Sequence, residues 1–136
     1  MSVERTLVLV KPDGVERKLV GEVLGRIERK GFTLVALRML TMTEELASRH
    51  YAEHVGKAFY AGLVEFMTSG PLVAAVIEGP DAIVQWRNMM GATDPVAAPT
   101  GSIRGDFAVA KSFNVTHGSD SPEAAAREIG IFFPEL

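Results

Sequence analysis

The sequence predicts an α/β fold: a ferredoxin-like αβ sandwich in which helices flank a four-stranded antiparallel sheet. Three observations carry this prediction. Four short apolar runs are separated by stretches with helical spacing. The resulting order, β-α-β-(αα)-β-α-β-α, is that of split βαβ units. With 136 residues, 47% hydrophobic and 23% charged, the chain fits one globular domain spanning 1–136 that buries a sizeable core without staples.

The elements follow in order. Arg5-Thr-Leu-Val-Leu-Val-Lys11 is an apolar run ended by the turn signal Pro12-Asp-Gly14. Its lack of alternation predicts a central strand covered on both faces. Val20, Val23, Leu24 and Ile27 keep i, i+3, i+4, i+7 spacing, which predicts an amphipathic helix stopped at Gly31. Phe32 to Thr41 is the second strand. Thr43-Glu-Glu45 supplies a cap and helix-start acids for a helix through roughly His54. A further helix covers Phe59 to Met67 and closes at Ser69-Gly-Pro71. Leu72 to Glu78 is the third strand and Asp81 to Met90 the next helix. An irregular segment, Gly91 to Asp106, then leads to the last strand, Phe107 to about Lys111. Ser121-Pro122-Glu123 opens the final helix, with proline at its first position.

Composition narrows the function classes. A net charge of −3 argues against a dedicated nucleic-acid-binding role, so any anion site must be built locally from a few cations. The start Met-Ser-Val-Glu-Arg has no apolar signal core, and no apolar run approaches membrane-spanning length. Absence of cysteine fits a reducing compartment, and a cytoplasmic protein with no membrane attachment is expected. Without a secretory signal, the sequon Asn114-Val-Thr116 reads as chance.

Of three histidines (His50, His54, His117), His117 lies in Asn114-Val-Thr-His-Gly-Ser-Asp-Ser121, between a strand-like run and a helix start. Imidazole titrates near neutrality, and it can attack a phosphoryl group, hold it as a phosphoramidate and pass it on. The plain alternative is a loop histidine capping a turn. Lys11 at a strand end, Arg87 on a helix and Arg104 in the long segment could converge on an anion, where arginine's fork suits phosphate. Singly, each is also an ordinary surface charge. Glu128 could fold back to hold one ring nitrogen of His117, as orienting carboxylates do in hydrolytic triads, or lie exposed beside Arg127. His50-Tyr-Ala-Glu-His54 matches a zinc-peptidase signature, but the third protein ligand that such a site requires is missing from the pattern. The phosphate loops of P-loop NTPases and protein kinases are absent.

Taken together, the motifs resemble those of the nucleoside diphosphate kinase family. The similarity runs through Thr6 to Gly14, Leu19-Val-Gly-Glu22, His50-Tyr51, Phe59 to Leu63, Ser69-Gly-Pro71, Arg87 with Gly91 and Thr93-Asp-Pro95, Ile103-Arg-Gly-Asp-Phe107, the His117 segment and Glu128-Ile129. The resemblance implies transfer of a γ-phosphoryl from a nucleoside triphosphate to a nucleoside diphosphate through a phosphohistidine, with little base specificity. It implies His117 as nucleophile through Nδ1, with Glu128 and Ser119 holding its ring. Arg87, Thr93, Arg104 and His54 would bind phosphates, with Mg²⁺ held through the phosphates rather than by protein ligands. Lys11 and Asn114 would contact the sugar hydroxyls and the phosphate end, and Tyr51 would line the pocket. Phe59 would stack on the base with Leu63 beside it. A homohexamer is the family-typical assembly. The chain departs from the family pattern at Lys111, where a small apolar residue is common, and at Phe113, where arginine is usual. It also carries Thr100 between Pro99 and Gly101 and has a shorter tail than many relatives.

Overall fold

The computed structural model describes residues 3–136. In chain order its elements begin β1 (Val3–Val10), α1 (Pro12–Glu16), α2 (Val20–Lys30), β2 (Thr33–Thr41) and α3 (Glu44–His50). They continue α4 (Tyr60–Met67), β3 (Pro71–Pro80), α5 (Ala82–Met90), α6 (Ile103–Phe107), β4 (Thr116–Gly118) and α7 (Pro122–Phe132). The strands form one sheet in the order β2-β3-β1-β4, and every adjacent pair is antiparallel. The expected ferredoxin-like αβ sandwich is present.

β1 is buried without interruption from Thr6 to Val10, as its unalternating run required. Strand alternation then sorts its side chains between two cores. Val8 and Val10 meet Val23 and Ile27 of α2 and Trp86 and Met90 of α5. Leu7 and Leu9 point the other way, toward Ala47 of α3, Met67 of α4 and Phe132 of α7. Each fully buried large side chain contributes on the order of 1.5–3 kcal/mol. The paired cores therefore clamp β1, and Lys11 at its end, between two helical layers.

Four expectations need correction. The last strand is not Phe107–Lys111 but Thr116–Gly118, which carries His117 itself. Ser102 caps α6 by accepting a hydrogen bond from the Gly105 amide, which commits the chain to a helical turn through Phe107. Beyond it Val109 is 90% exposed and Ala110 bridges only to Phe113, while the edge of β1 is taken by residues 116–118. The segment from Gly91 to Asp106 is likewise not irregular throughout, since it holds α6 and a 3₁₀ turn at Pro95–Ala97. Pro12-Asp-Gly14 is more than a turn: proline's fixed φ starts the short helix α1. Finally, α3 stops at His50, and Ala52–His54 is a separate 3₁₀ turn. There Arg127 of α7 donates to the carbonyls of Arg49 and His50, satisfying acceptors that a longer helix would have used.

Candidate active site

His117 pairs with Leu9 across the β1–β4 ladder, so both side chains project from the same face, the one covered by α3 and α7. Its neighbours Thr116 and Gly118 project toward α5. Gly118 can sit there only because it has no side chain: a Cβ would lie 2.4 Å from Cδ1 of Trp86. The indole Nε1 donates to the His117 carbonyl at 3.3 Å, so buried Trp86 fixes the backbone under the histidine.

α7 supplies the next contact. Ser121 caps the helix through the Ala124 amide, Pro122 occupies its first turn, and Glu128 falls on the inward face. Glu128 Oε1 lies 2.8 Å from Nε2 of His117 and accepts a second bond, also 2.8 Å, from the buried Ser119 hydroxyl. Burial alone would raise the Glu128 pKa. The hydrogen bond and charge of His117, with the Ser119 bond, outweigh burial and hold it below the usual range. An ionised carboxylate only accepts, so Nε2 carries the proton and Nδ1 keeps the lone pair.

His50 forms the wall behind this pair. Its ring meets His117 edge-on at 4.9 Å, and it is also packed against Tyr51 (4.5 Å) and Phe132 (5.2 Å). Neither of its nitrogens has a hydrogen-bond partner among the described residues. Burial first, and the adjacent His117 second, push its pKa from 6.5 to about 3. Between those values the unfolded chain binds a proton that the folded chain does not, so stability falls as pH drops through the window. Glu128 acts in the same direction only below its unfolded value of 4.5, where stability from its lowered pKa begins to be lost. Between pH 6.5 and 4.5, then, the His50 contribution is lost while that of Glu128 is still intact. His50→Phe is expected to flatten the dependence of melting temperature on pH there, and an unchanged slope would contradict this account.

Cations line the open side. Lys11 Nζ donates to Asn114 Oδ1 at 2.8 Å, and Asn114 Nδ2 donates to the Thr93 carbonyl at 3.1 Å. Burial, then the nearby Arg104 charge, lowers the Lys11 pKa to about 8. Arg104 is buried, and its guanidinium donates to three carbonyls: Asn114 (3.2 Å), Gly91 (3.1 Å) and Thr116 (2.7 Å). Burial, then Arg87, brings its pKa down to about 10. Arg87 is exposed and reaches the Gly118 carbonyl at 3.4 Å.

These side chains border one cleft of about 640 Å³. Lys11, Tyr51, His54, Arg87, Thr93, Arg104, Asn114, His117 and Glu128 all line it. Ser119 lies beneath, behind Glu128. Phe59 and Leu63 are not part of its wall: Phe59, 54% exposed, touches His54 edge-on at 5.2 Å, and Leu63 packs partly into the core. Lys111 is exposed in a turn, and Phe113 leans edge-on against Phe66 at 5.0 Å. The sequon is no surface acceptor, since Asn114 and Thr116 are both buried. The break after His50 separates the two histidines of the zinc-like motif, and among the described residues no three His, Cys, Asp or Glu side chains gather as a metal cage.

Sequence reading gave no site role to Arg127, and to His50 only that of a histidine in the zinc-like motif. Their signals are faint: His50 shares the i, i+4 pair with His54, and Arg127 simply precedes Glu128.

The model of the family described as nucleoside diphosphate kinase matches residues 4–136. The chain belongs to the nucleoside diphosphate kinase family. It is thus a phosphotransferase. The nucleoside diphosphate kinase of Saccharopolyspora erythraea is 64% identical over 135 residues, covering 98% of both chains. That of Mycolicibacterium paratuberculosis is 62% identical over 133 residues, 97% of this chain and 98% of its own. Among solved structures, the Halobacterium salinarum family member in complex with CDP superposes with a TM-score of 0.93 at 50% identity. That match covers 97% of this chain and 88% of the other. A Babesia bovis family member gives 0.94 at 47% identity, covering 97% and 90%.

Proposed function

We propose that this chain, acting as a single domain, moves the γ-phosphoryl of a nucleoside triphosphate to a nucleoside diphosphate through His117. The observation that carries this reading is the Glu128–His117 contact, which leaves Nδ1 as the free nucleophile beside a cationic cleft. The Nδ1 lone pair attacks the γ-phosphorus, and the bond to the β-phosphate oxygen breaks, its electron pair leaving with the diphosphate. After exchange of nucleotides, a β-phosphate oxygen of the acceptor attacks the same phosphorus and the P–N pair returns to Nδ1. The proton stays on Nε2, hydrogen-bonded to Glu128, throughout, so no net proton moves. Ser119 holds Glu128 in register.

Lys11, Arg87 and Arg104 supply the positive charge that spread-out phosphoryl oxygens require, with Thr93 and His54 as further phosphate contacts. Asn114 and Lys11 grip the phosphate end and the sugar hydroxyls, and Tyr51 closes the wall. The cleft's charge is cationic where the phosphates would lie, so Mg²⁺ would enter on the nucleotide, neutralising phosphate charge without a protein cage. The halobacterial relative binds CDP, and an exposed aromatic platform suits any base because each has a π face. Phe59→Ala is therefore expected to weaken purine and pyrimidine nucleotides alike, by about 1–3 kcal/mol in calorimetry. Loss confined to one base would contradict stacking.

A cytoplasmic location is consistent with a cysteine-free chain. Self-association is supported by the unpaired edge of β2, where Leu37 and Met39 are exposed, and solution mass tests whether the assembly is the homohexamer typical of the family. The deciding experiment for the reaction is incubation with γ-labelled ATP and denaturation. Protein-bound label that survives base and is released by acid is expected. Its absence from the parent protein would sink the phosphohistidine reading.

A further inference from the structure

The strand that bears His117 begins with a strained turn. Val115, fully buried, has φ +72°, a region that β-branched residues rarely occupy. The Thr116 amide donates to the Asn114 carbonyl at 2.8 Å, so Val115 is the centre of a γ-turn of the rare positive-φ kind. Such conformations persist only when the surroundings over-determine them.

Arg104 holds the flanking carbonyls of Asn114 and Thr116, and Val115 itself is held by the Lys11 to Gly14 segment, in which the phosphoryl-transfer chemistry leaves the role of Asp13 open. The buried carboxylate of Asp13, in the first turn of α1, accepts the Val115 amide through Oδ2 at 3.0 Å. The Lys11 amide donates to the Val115 carbonyl at 2.8 Å. Gly14 completes the clasp: a Cβ there would stand 3.1 Å from both Cγ1 and O of Val115 and 2.8 Å from Val10. Both backbone groups of the strained residue are thus tied to one short segment. On either side of it stand Asn114, bonded to Lys11, and His117. A relaxed φ at Val115 would swing Asn114 relative to the histidine.

We propose that Asp13 is a positioning residue: its carboxylate holds the strained turn at Val115 and so sets Asn114 and His117 at their working separation across the cleft. This rests on the phosphohistidine reading given above. It makes no contact with substrate part of Asp13's role.

The test is rapid-quench measurement of His117 phosphorylation by γ-labelled ATP, with melting temperatures measured alongside. Asp13→Asn retains an oxygen acceptor for the Val115 amide and is expected to react within several-fold of the parent rate, whereas Asp13→Ala is expected to lose about 10²-fold. Adding Val115→Gly to Asp13→Ala is expected to restore at least about ten-fold of that loss, because glycine adopts positive φ freely. It should do so even though truncating a buried valine lowers the melting temperature further. A merely structural Asp13 would make rate follow stability, leaving the double variant slowest. Folded Asp13→Ala reacting at the parent rate, or a double variant no faster than Asp13→Ala, overturns the proposal. Hydrogen exchange of the parent and Asp13→Asn proteins gives a second reading that does not depend on Asp13→Ala folding. The Val115 amide is expected to be protected in both, and rapid exchange in the parent also overturns it. A parent protein that takes no label would overturn the phosphohistidine reading and this proposal together; a labelled parent with an undisturbed Asp13→Ala would remove this proposal alone.

Discussion

His117→Gln is expected to bind nucleotides with nearly parent affinity while its turnover falls by on the order of 10⁴–10⁶-fold, the range seen when a covalent nucleophile is removed. Glutamine is close to imidazole in reach and can donate to Glu128 Oε1, so the network around Ser119 stays occupied. What it lacks is a lone pair able to form a P–N bond. Cleft charge from Lys11, Arg87 and Arg104 is untouched, which is why binding should persist. Calorimetric affinity together with acid-labile labelling checks both halves. A variant that still turned over would move the nucleophile elsewhere, and one that lost binding as well would make His117 a ligand-holding residue first.

Arg104→Ala should be the most damaging change among the cleft cations. Its guanidinium is buried and ties the Gly91 carbonyl after α5 to the carbonyls of Asn114 and Thr116, the first and last residues of the γ-turn. Truncation leaves acceptors without their charged donor, at about 1–3 kcal/mol for each one that finds no water. A total loss on the order of 3–5 kcal/mol is expected, lowering the melting temperature by roughly 10–15 °C for a chain of this size. Turnover should fall by about 10²-fold or more if the same group meets the phosphates in the cleft it lines, as proposed above. Arg104→Lys should recover little, since an ammonium cannot reproduce the three-way fork. Arg87→Ala, by contrast, removes an exposed side chain with one long bond, and its melting temperature should barely move. Equal thermal losses in the two variants would contradict this division.

Most of the architecture was legible in the pattern of apolar residues, because it reflects burial. β1 and β3 are covered on both faces and read as continuous runs, and α2 shows its helical stripe plainly. The fourth strand escaped because only three residues pair, and they are Thr, His and Gly. Their position is dictated by the γ-turn and by the space beneath Trp86, neither of which leaves a periodic trace. The Phe107–Lys111 run looked stronger on composition alone, but the serine-capped helix takes Phe107 and the rest continues as loop and turn. At the site, Glu128 was within reach on helix geometry, whereas His50 was obscured by a motif that pairs it with His54. What separates them is a helix end set by Arg127, 77 residues distant from His50 along the chain. Long-range capping of that kind is not written near the residues it controls.

The fold gathers Lys11, Arg87 and Arg104 around one cleft, and burial together with mutual repulsion lowers the proton affinity of both Lys11 and Arg104. That repulsion is a cost carried by the folded state and not by the unfolded chain, where the three charges are far apart in water. Any polyanion that enters the cleft removes it. Nucleotide binding and folding are thereby linked: a hundred-fold excess over the dissociation constant adds about 2.7 kcal/mol to stability. The melting temperature is therefore expected to rise with the concentration of added nucleoside triphosphate.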